Sequence, residues 1–400
     1  MRLNRFAFII ASSALCTACA VAQPTTPGFQ VCLNDITEAA AAQGVSQQVS
    51  ESLLSEVTPD PKVIEFDRRQ PEFTQTFADY LETRVSPTRL NQGRQQLKDQ
   101  ANILDRVAAE HGVPAHYLVA FWGLETNYGQ YLGRMSTVRS LATLACDTRR
   151  SAFFREELIA ALQLVDAGTV SPEQLKGSWA GAVGNFQFLP SVYRDHAVDA
   201  DGDGSIDLWD NFADAAESAA RFLRARGWEP GERWGREVSL PAAFDYQLTD
   251  TTASVDDWSA RGVMQADSSP LPSSDITARL LLPAGAQGPA FLVYPNFDVI
   301  MRWNPSQFYA LAVGHLADRL NGAEPLVQSP PNEPALSTEA VSELQLTLSE
   351  AGFDSGPIDG RMGPATRQGI RAYQLANGLV PDGHPTQETL NKLGIKPSPR

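Results

Sequence analysis

The chain has 400 residues, of which 43% are hydrophobic and 20% are charged. These proportions are typical of folded, soluble proteins and exclude a fibrous repeat, a polytopic membrane protein and a long disordered tail. A formal net charge of −15 argues against binding to nucleic acid or to anionic lipid, because both require a basic surface. At roughly 100–200 residues per domain, the length predicts two or three domains.

The first 22 residues have the layout of a secretory signal peptide. Arg2 and Arg5 precede an apolar stretch at 6–15, which is shorter than the about 20 residues that a membrane-spanning helix needs. Ala20-Val21-Ala22 then matches a small-residue cleavage site. We therefore expect export to the periplasm without a transmembrane span. Lipidation at Cys19 is the open alternative, and it would make the protein an outer-membrane lipoprotein.

Export gives the cysteine count a meaning. Cys32 and Cys146 remain in a chain cut after Ala22, and an even pair in an oxidising compartment is able to form one disulfide. The alternative is that each thiol is a small buried residue. The sequence leaves both open, and two lone cysteines do not have the spacing of a metal site.

Helical periodicity dominates the chain from Phe29 to about Glu324, where apolar residues recur at three- and four-residue spacing. Residues 236–300 differ, because short β-favouring runs alternate there with proline and glycine. The predicted fold class is therefore mainly α, of the α+β type, with a small β-containing portion. Four prolines at 325–334 predict a stiff linker. The predicted organisation is a signal peptide at 1–22, a main domain at 29–324, a linker at 325–335 and a second domain at 336–395.

The motif at 113–129 carries the strongest chemical signal, Glu125. Phe121 and Trp122 precede Glu125 by four and three residues, so a helix places its carboxyl group on their apolar face. Burial beside aromatic rings and the negative end of the helix dipole both raise the pKa of a carboxyl group. An acid that stays protonated near neutral pH is able to protonate a glycosidic oxygen. The structural alternative is a core-edge glutamate paired with Arg149 or Arg150.

A second motif, at 177–193, combines small residues with amide and aromatic side chains. The small residues allow a ligand or another backbone to approach closely. Amide and aromatic groups together suit sugar rings, although a tightly packed helix contact is the alternative. The groups concerned are Ser178, Asn185 and Gln187, with the rings of Trp179, Phe186, Phe188 and Tyr193.

These motifs together resemble the lytic murein transglycosylase B family. The matching segments are 121–129, 141–145, 177–191, 288–297 and 309–313, in order across about residues 29–322. The resemblance implies a lysozyme-like, mainly helical catalytic domain that needs no cofactor. It also implies cleavage of the β-1,4 bond between N-acetylmuramic acid and N-acetylglucosamine in peptidoglycan, without water, leaving a 1,6-anhydromuramyl end.

The resemblance also implies the roles of individual residues. Glu125 corresponds to the family's single catalytic acid. The sequence departs from the family pattern at two positions: Trp303, where tyrosine is usual, and Pro295. The residues expected to line the saccharide cleft are Tyr128, Arg149, Arg150, Ser178, Gln187, Phe188 and Asn296.

One acid fits a mechanism without water. Ordinary glycosidases use two carboxylates about 5–9.5 Å apart, whereas no second acid accompanies Glu125 in either motif; Glu156 and Glu157 qualify only if folding brings them near. A lone glutamate must protonate the leaving oxygen and then accept the proton of the C6 hydroxyl, while the substrate's acetamido group, oriented by Ser178, assists. A hydrolytic muramidase and a non-catalytic peptidoglycan-binding scaffold are the alternatives.

A third motif at 199–214 matches a calcium-binding loop. Oxygen donors alternate and a glycine occupies the sixth position, whereas a solvated turn without metal is the alternative. Asp210 stands where a glutamate is expected, so Asp214 is the candidate replacement. We expect a structural calcium ion at Asp199, Asp201, Asp203, Ser205 and Asp214, with Asp207 and Asp210 as further candidates.

The C-terminal segment at 337–393 resembles the peptidoglycan-binding domain type 1, a three-helix module. Val341, Leu344 and Leu348 share one helical face, and Pro364 is placed to open the next helix. The resemblance implies that peptidoglycan glycan strands are the partner, and the sequence leaves protein partners unknown. Asp359, Arg361 and Gln374 are the candidate ligand residues.

Overall fold

The structure is a computed structural model that describes residues 27–68 and 75–396. The predicted signal peptide and Cys19 lie outside these residues. Within them, no helix is both long enough and apolar enough to cross a membrane.

The N-terminal part is helical: α1 Pro27–Ala42, α2 Gln47–Leu54, α3 Pro61–Arg68, α4 Phe77–Arg84, α5 Pro87–Asp99, α6 Ala101–His111, α7 Ala115–Thr126, α8 Thr137–Ala145, α9 Ser151–Asp166, α10 Pro190–His196 and α11 Phe212–Ala225.

Local sequence signals set the ends of these helices. The side chains of Ser86 and Ser136 accept hydrogen bonds from the first turns of α5 and α8, which satisfies otherwise unpaired N–H groups. Gly112 ends α6 in the left-handed conformation, which glycine adopts without steric cost. Apolar residues recur at helical spacing across 96–110, which predicts one continuous helix. The structure instead divides this segment between α5 and α6, because Gln100 leaves the helical conformation (φ −104°, ψ 14°).

The central helix α7 is buried on nearly all sides. Leu118, Val119, Ala120 and Phe121 are fully inaccessible, and α7 packs against α5, α6 and α14 (Gln307–Leu320). A helix that is apolar around its whole circumference belongs in the interior of a domain. The core around α7 therefore fixes the position of the side chains in the last turn of this helix.

Cys32 in α1 and Cys146 after α8 form a disulfide that closes a loop with a sequence separation of 114 residues. The structure thereby decides between the two alternatives that the cysteine count left open.

The β-containing portion comprises a two-stranded ribbon and a five-stranded antiparallel sheet of order β4-β6-β7-β3-β5. The sheet has its own apolar core, centred on Trp258, Leu280 and Leu292. This observation confirms the predicted fold class. The bounds are β1 Met135–Ser136, β2 Lys176–Gly177, β3 Gly235–Ser239, β4 Thr252–Ser254, α12 Val255–Ala260, β5 Met264–Gln265, β6 Thr277–Leu281, β7 Ala290–Val293 and α13 Pro295–Trp303.

Three C-terminal helices form a module with a separate core. They are α15 Thr338–Glu350, α16 Pro364–Ala376 and α17 Gln387–Leu393, and the core includes Leu344, Leu348, Ile370 and Leu390. The predicted ligand residue Gln374 is buried, and its amide binds Asp382, Thr389 and the backbone at 383–384. In this structure Gln374 therefore holds the loop before α17.

Candidate active site

Glu125 lies in the last turn of α7, where two donors from other helices reach its carboxyl group. Its Oε1 accepts hydrogen bonds from Trp303 Nε1 at 2.9 Å and from the Tyr309 hydroxyl. Its Oε2 accepts none within the described residues. Burial raises the pKa of Glu125 to about 7, although both hydrogen bonds and the charge of Arg84 act in the opposite direction. Oε2 is thus the oxygen available to carry a proton near neutral pH.

Aromatic packing fixes the Trp303 donor. The Trp303 ring lies 4.6 Å from Phe121, 5.5 Å from Phe188 and 5.2 Å from Phe222, measured between centroids. Trp303 ends α13 at the position where the sequence departs from the family. The indole N–H is a hydrogen-bond donor, as a tyrosine hydroxyl is, so this position supplies a donor to the acid in this chain.

No second carboxylate acts on Glu125 among the described residues, where its charged neighbour is Arg84. Both oxygens of Glu157 accept hydrogen bonds from Ser191, at 2.9 Å from the N–H and 2.7 Å from the hydroxyl. Glu156 is exposed and contacts Gln43. Neither acid shares a hydrogen bond with Glu125 or is among the charges that shift its pKa, so within the described residues Glu125 acts without a carboxylate partner.

Ser178 and Gln187 lie in a loop whose backbone is tightly constrained. Ser178 Oγ accepts a hydrogen bond from Ala182 N at 3.1 Å, so its hydroxyl proton is available to a ligand. Gln187 has a positive φ of 49° and donates from Nε2 to Leu132 O at 3.2 Å. A Cβ on Gly133 would lie 2.1 Å from the Gly177 backbone, so the loop containing Leu132 packs directly on the strand before Ser178.

Asn185 connects this loop to the helix of the acid. Its Oδ1 accepts from Trp122 Nε1 at 2.8 Å, and its backbone oxygen accepts from the Thr126 hydroxyl at 2.8 Å. Its Nδ2 donates to Leu208 O and Trp209 O, next to the acidic loop. Asn185 was expected among the sugar-facing groups, but its side chain is buried and it positions α7 instead. Its partners in α7 are Trp122, three residues before Glu125, and Thr126, one residue after it. The sequence pattern did not indicate that these two side chains bind Asn185.

Three other residues predicted for the cleft make internal contacts. Tyr128 is buried and donates to Arg89 O at 2.7 Å. Phe188 is buried against Trp303. Asn296 is fully buried and bonds to the backbone of Glu229 and Glu232. These contacts explain how the residues support the walls of the site, and their contact with a saccharide stays a prediction.

The two arginines have different surroundings. Arg149 is ion-paired with the buried Asp67, to which its Nε donates at 2.6 Å. The Arg150 side chain makes no hydrogen bond or ion pair within the described residues, and its guanidinium lies 4.5 Å and 5.1 Å from the ring centroids of Phe153 and Phe154. Neither arginine contacts Glu125, so the pairing considered as the structural alternative is not formed. Of the two, Arg150 is the cation available to a ligand.

The acidic loop places Asp199, Asp201 and Asp203 with carboxylate oxygens within 4.8 Å of one another. Asp199 accepts three backbone N–H groups, from Gly202, Asp203 and Gly204. The oxygens of Asp214, at 0% exposure, accept from Ala200 N and Asp207 N. Asp214 therefore ties the loop to α11 and lies outside the cluster of three carboxylates.

The Ser205 side chain and Asp207 are also engaged within the loop. Ser205 donates its N–H and hydroxyl to Asp203 Oδ1. Asp207 Oδ1 accepts from the N–H groups of Trp209 and Asp210. Their coordination of a cation stays a prediction.

A lone, partly accessible acid with a pKa near 7, held by fixed donors in a mainly helical domain, defines a lysozyme-like glycan-cleaving class. The chain belongs to the family described as "Transglycosylase SLT domain", whose model matches residues 28–318. The model described as "Putative peptidoglycan binding domain" matches residues 337–393. The resemblance stated from the motifs is thus confirmed.

Individual relatives agree with this assignment. The chain is 33% identical over 243 residues to membrane-bound lytic murein transglycosylase B of Escherichia coli; the match covers 59% of this chain and 65% of that protein. It is 43% identical to SltB3 from Pseudomonas aeruginosa in complex with NAG-anhNAM-pentapeptide, with a TM-score of 0.87 over 92% of this chain and 100% of that one. The E. coli transglycosylase Slt35 in complex with calcium is 28% identical, with a TM-score of 0.63 over 74% of this chain and 93% of that one.

Proposed function

We propose that this protein is a lytic transglycosylase of peptidoglycan, acting in cell-wall remodelling or turnover. Its reaction cleaves the β-1,4 bond between N-acetylmuramic acid and N-acetylglucosamine without water and leaves a 1,6-anhydromuramyl end. The observation that carries the proposal is Glu125, whose pKa is raised to about 7 and whose Oε2 accepts no hydrogen bond within the described residues.

In the first step, Glu125 Oε2 donates its proton to the glycosidic oxygen, and the C1–O bond of N-acetylmuramic acid breaks. The N-acetylglucosamine leaves with a free 4-hydroxyl group. The substrate's acetamido oxygen stabilises the cationic C1, which is the substrate-assisted route of glycosidases that lack a second carboxylate. Ser178, whose hydroxyl proton is available, supports the acetamido group by a hydrogen bond.

In the second step, the Glu125 carboxylate accepts the proton of the C6 hydroxyl while that oxygen bonds to C1. The acid is thereby regenerated, and no water is consumed. Trp303 and Tyr309 donate to Oε1 throughout, so the carboxyl group keeps one orientation as it changes from acid to base. A pKa near the working pH suits a group that must act in both forms.

The test is the chemistry of the product. The full chain is incubated with purified sacculi, and the released muropeptides are analysed by mass spectrometry. We expect 1,6-anhydromuramyl ends. These are lighter than reducing ends by the mass of one water, about 18 Da. Reducing ends would identify a hydrolytic muramidase, and no release would indicate a non-catalytic scaffold; either result contradicts the proposal.

A structural calcium ion at Asp199, Asp201 and Asp203 belongs to the same proposal. The clustered carboxylate oxygens match the preference of calcium for oxygen ligands, and the ion would stabilise the loop that Asn185 connects to α7. Calorimetric titration with calcium and thermal melts with and without chelator test the site. Binding and a raised melting temperature are expected, whereas no heat and no shift would show that the loop is a turn without metal.

The proposed location is the periplasm, where the substrate lies, with attachment through Cys19 as the alternative form. The C-terminal module at 337–393 holds the catalytic domain near its insoluble substrate, which raises the effective concentration of the enzyme. Mass spectrometry of the mature protein separates cleavage after Ala22 from acylation at Cys19. A protein that retains residues 1–22 would contradict export by this signal.

A further inference from the structure

A cluster of three side chains with metal-ligating atoms lies where α6 packs against α11. Glu110 and His111 are the last two residues of α6, and Glu217 lies in α11. One imidazole nitrogen and one carboxylate oxygen from each glutamate lie within 4.8 Å of one another. We call these three residues the α6–α11 cluster. It shares no residue with the surroundings of Glu125 or with the acidic loop at 199–214.

The His111 imidazole nitrogen has no hydrogen-bond partner in this cluster. Its Nε2 is buried without a hydrogen bond among the described residues, although it lies 3.7 Å from Glu217 Oε1 and 3.9 Å from Glu110 Oε1. A direct ion pair between an imidazolium and a carboxylate would bring the two atoms to about 2.7–2.9 Å. Because buried polar atoms are normally satisfied, these separations indicate a group that all three atoms contact together.

The separations are close to those between the ligands of one zinc ion. Zinc binds nitrogen and oxygen at about 2.0–2.2 Å, so two ligands of a tetrahedral ion lie about 3.3–3.6 Å apart. Small side-chain rotations are enough to bring the observed distances into this range. A zinc ion is smaller than a water molecule and fits between atoms that water does not reach. It enters past Glu110, whose side chain is 56% exposed, whereas those of His111 and Glu217 are 13% and 12% exposed.

Neighbouring residues hold two of the three ligands in position. Arg106 donates to Glu217 Oε2, which leaves Oε1 directed at His111. The residue after His111, Gly112, has a φ of 66° and ends α6, and its carbonyl oxygen accepts a hydrogen bond from Trp228 Nε1 at 3.2 Å. Outer contacts of this kind orient metal ligands and raise metal affinity. The C-terminal end of α6 also favours a cation through the helix dipole.

The donor set selects the kind of cation. One imidazole nitrogen with two carboxylate oxygens suits zinc and related first-row transition ions, whereas calcium prefers oxygen ligands alone. Three protein ligands leave the fourth position of a tetrahedral ion to water. The carboxylates of Asp199, Asp201 and Asp203 offer oxygen only, so the two clusters differ in the cation that they prefer.

We propose that the α6–α11 cluster binds a zinc ion through His111 Nε2 and one carboxylate oxygen each of Glu110 and Glu217. The ion joins α6 to α11, and both helices pack against α7. It therefore stabilises the core around the helix that carries Glu125. Because the three ligands meet only in the folded chain, the stabilisation grows with the zinc concentration. The inference does not depend on the proposed function, since it uses no group of the reaction.

The test measures zinc binding to the full chain by calorimetry, with calcium in excess so that zinc does not compete at the acidic loop. Thermal melts with and without zinc provide the second readout. His111→Gln removes the nitrogen ligand, and Glu110→Gln changes an exposed ligand without removing a buried contact. His196→Gln is the matched control, because the His196 ring packs on Phe222 and lies outside the cluster.

We expect the parent chain and His196→Gln to bind zinc equally and to melt at a higher temperature with zinc. His111→Gln and Glu110→Gln should each weaken binding at least about tenfold and lose the zinc-dependent shift in melting temperature. A parent chain that binds no zinc overturns the inference, as does an affinity that His111→Gln leaves unchanged. If His111→Gln fails to fold, Glu110→Gln decides, and an unchanged affinity of that variant overturns the inference.

Discussion

Glu125 in α7 and Glu157 in α9 are both acids in apolar surroundings, and burial raises the pKa of both. The two carboxyl groups differ in how many of their oxygens accept hydrogen bonds. Ser191 at the start of α10 donates to both oxygens of Glu157, whereas Trp303 and Tyr309 donate to only one oxygen of Glu125. A buried acid with both oxygens satisfied stabilises the fold, while one with an unused oxygen is able to exchange a proton with a substrate.

The largest expected effect comes from Glu125→Gln, which keeps the shape and removes the transferable proton. Because the same group acts as acid and as base, we expect the rate of bond cleavage to fall by about 10³-fold or more. Anhydromuropeptide release from sacculi measures the rate. Glu157→Gln is the comparison, and it should leave most of the activity; similar losses in both variants would remove the functional distinction between the two acids.

Glu157→Ala tests the structural side of the comparison. It leaves the Ser191 N–H without a partner at the first turn of α10 and removes a buried side chain. We expect the free energy of unfolding to fall by about 2–3 kcal/mol, measured by urea denaturation. Glu156→Ala is the control, because Glu156 is exposed. A Glu157→Ala chain as stable as the control would show that the contact with Ser191 does not support the fold.

Glu125→Gln should also stabilise the protein at alkaline pH. Burial raises the folded-state pKa of Glu125 from 4.5 to about 7, so the native state binds more protons than the unfolded state between these values, and stability falls as pH rises. Glutamine does not ionise, so the variant should gain about 1–3 kcal/mol at pH 8 and little at pH 4. Thermal melts at both pH values measure the difference. A gain that is the same at both pH values would exclude ionisation of Glu125 as its cause.

The smallest effect is expected from Tyr309→Phe, which removes one donor to Glu125 Oε1. This hydrogen bond favours the carboxylate and lowers its pKa, so its loss should move the alkaline limb of the pH–rate profile upward by about one pH unit. Tyr128→Phe is the matched control, since the Tyr128 hydroxyl binds Arg89 O. An alkaline limb that stays in place in Tyr309→Phe would mean that another group sets it.

Local patterns predicted the helices, the small β-containing portion and the acid on the apolar face of α7. Periodicity and end signals suffice there because α7 and its neighbours follow their local preferences. The division between α5 and α6 was missed, since apolar spacing continues through Gln100 while the backbone departs from the helix. Asn185 was interpreted as a sugar-facing group because its chemistry suits a sugar, but its amide is occupied by Trp122, Leu208 and Trp209, and the sequence carries no signal of these partners.

The sequence by itself determined which acid is available, because the spacing of Glu125 from Phe121 and Trp122 is a property of any α-helix. It also determined the family, whose motifs run in order through the chain. Only the tertiary structure decided that Trp303 and Tyr309 donate to Oε1 of Glu125, that Ser191 donates to Glu157, and that Cys32 pairs with Cys146. These contacts join residues far apart in the chain, and long-range packing rather than local preference brings them together.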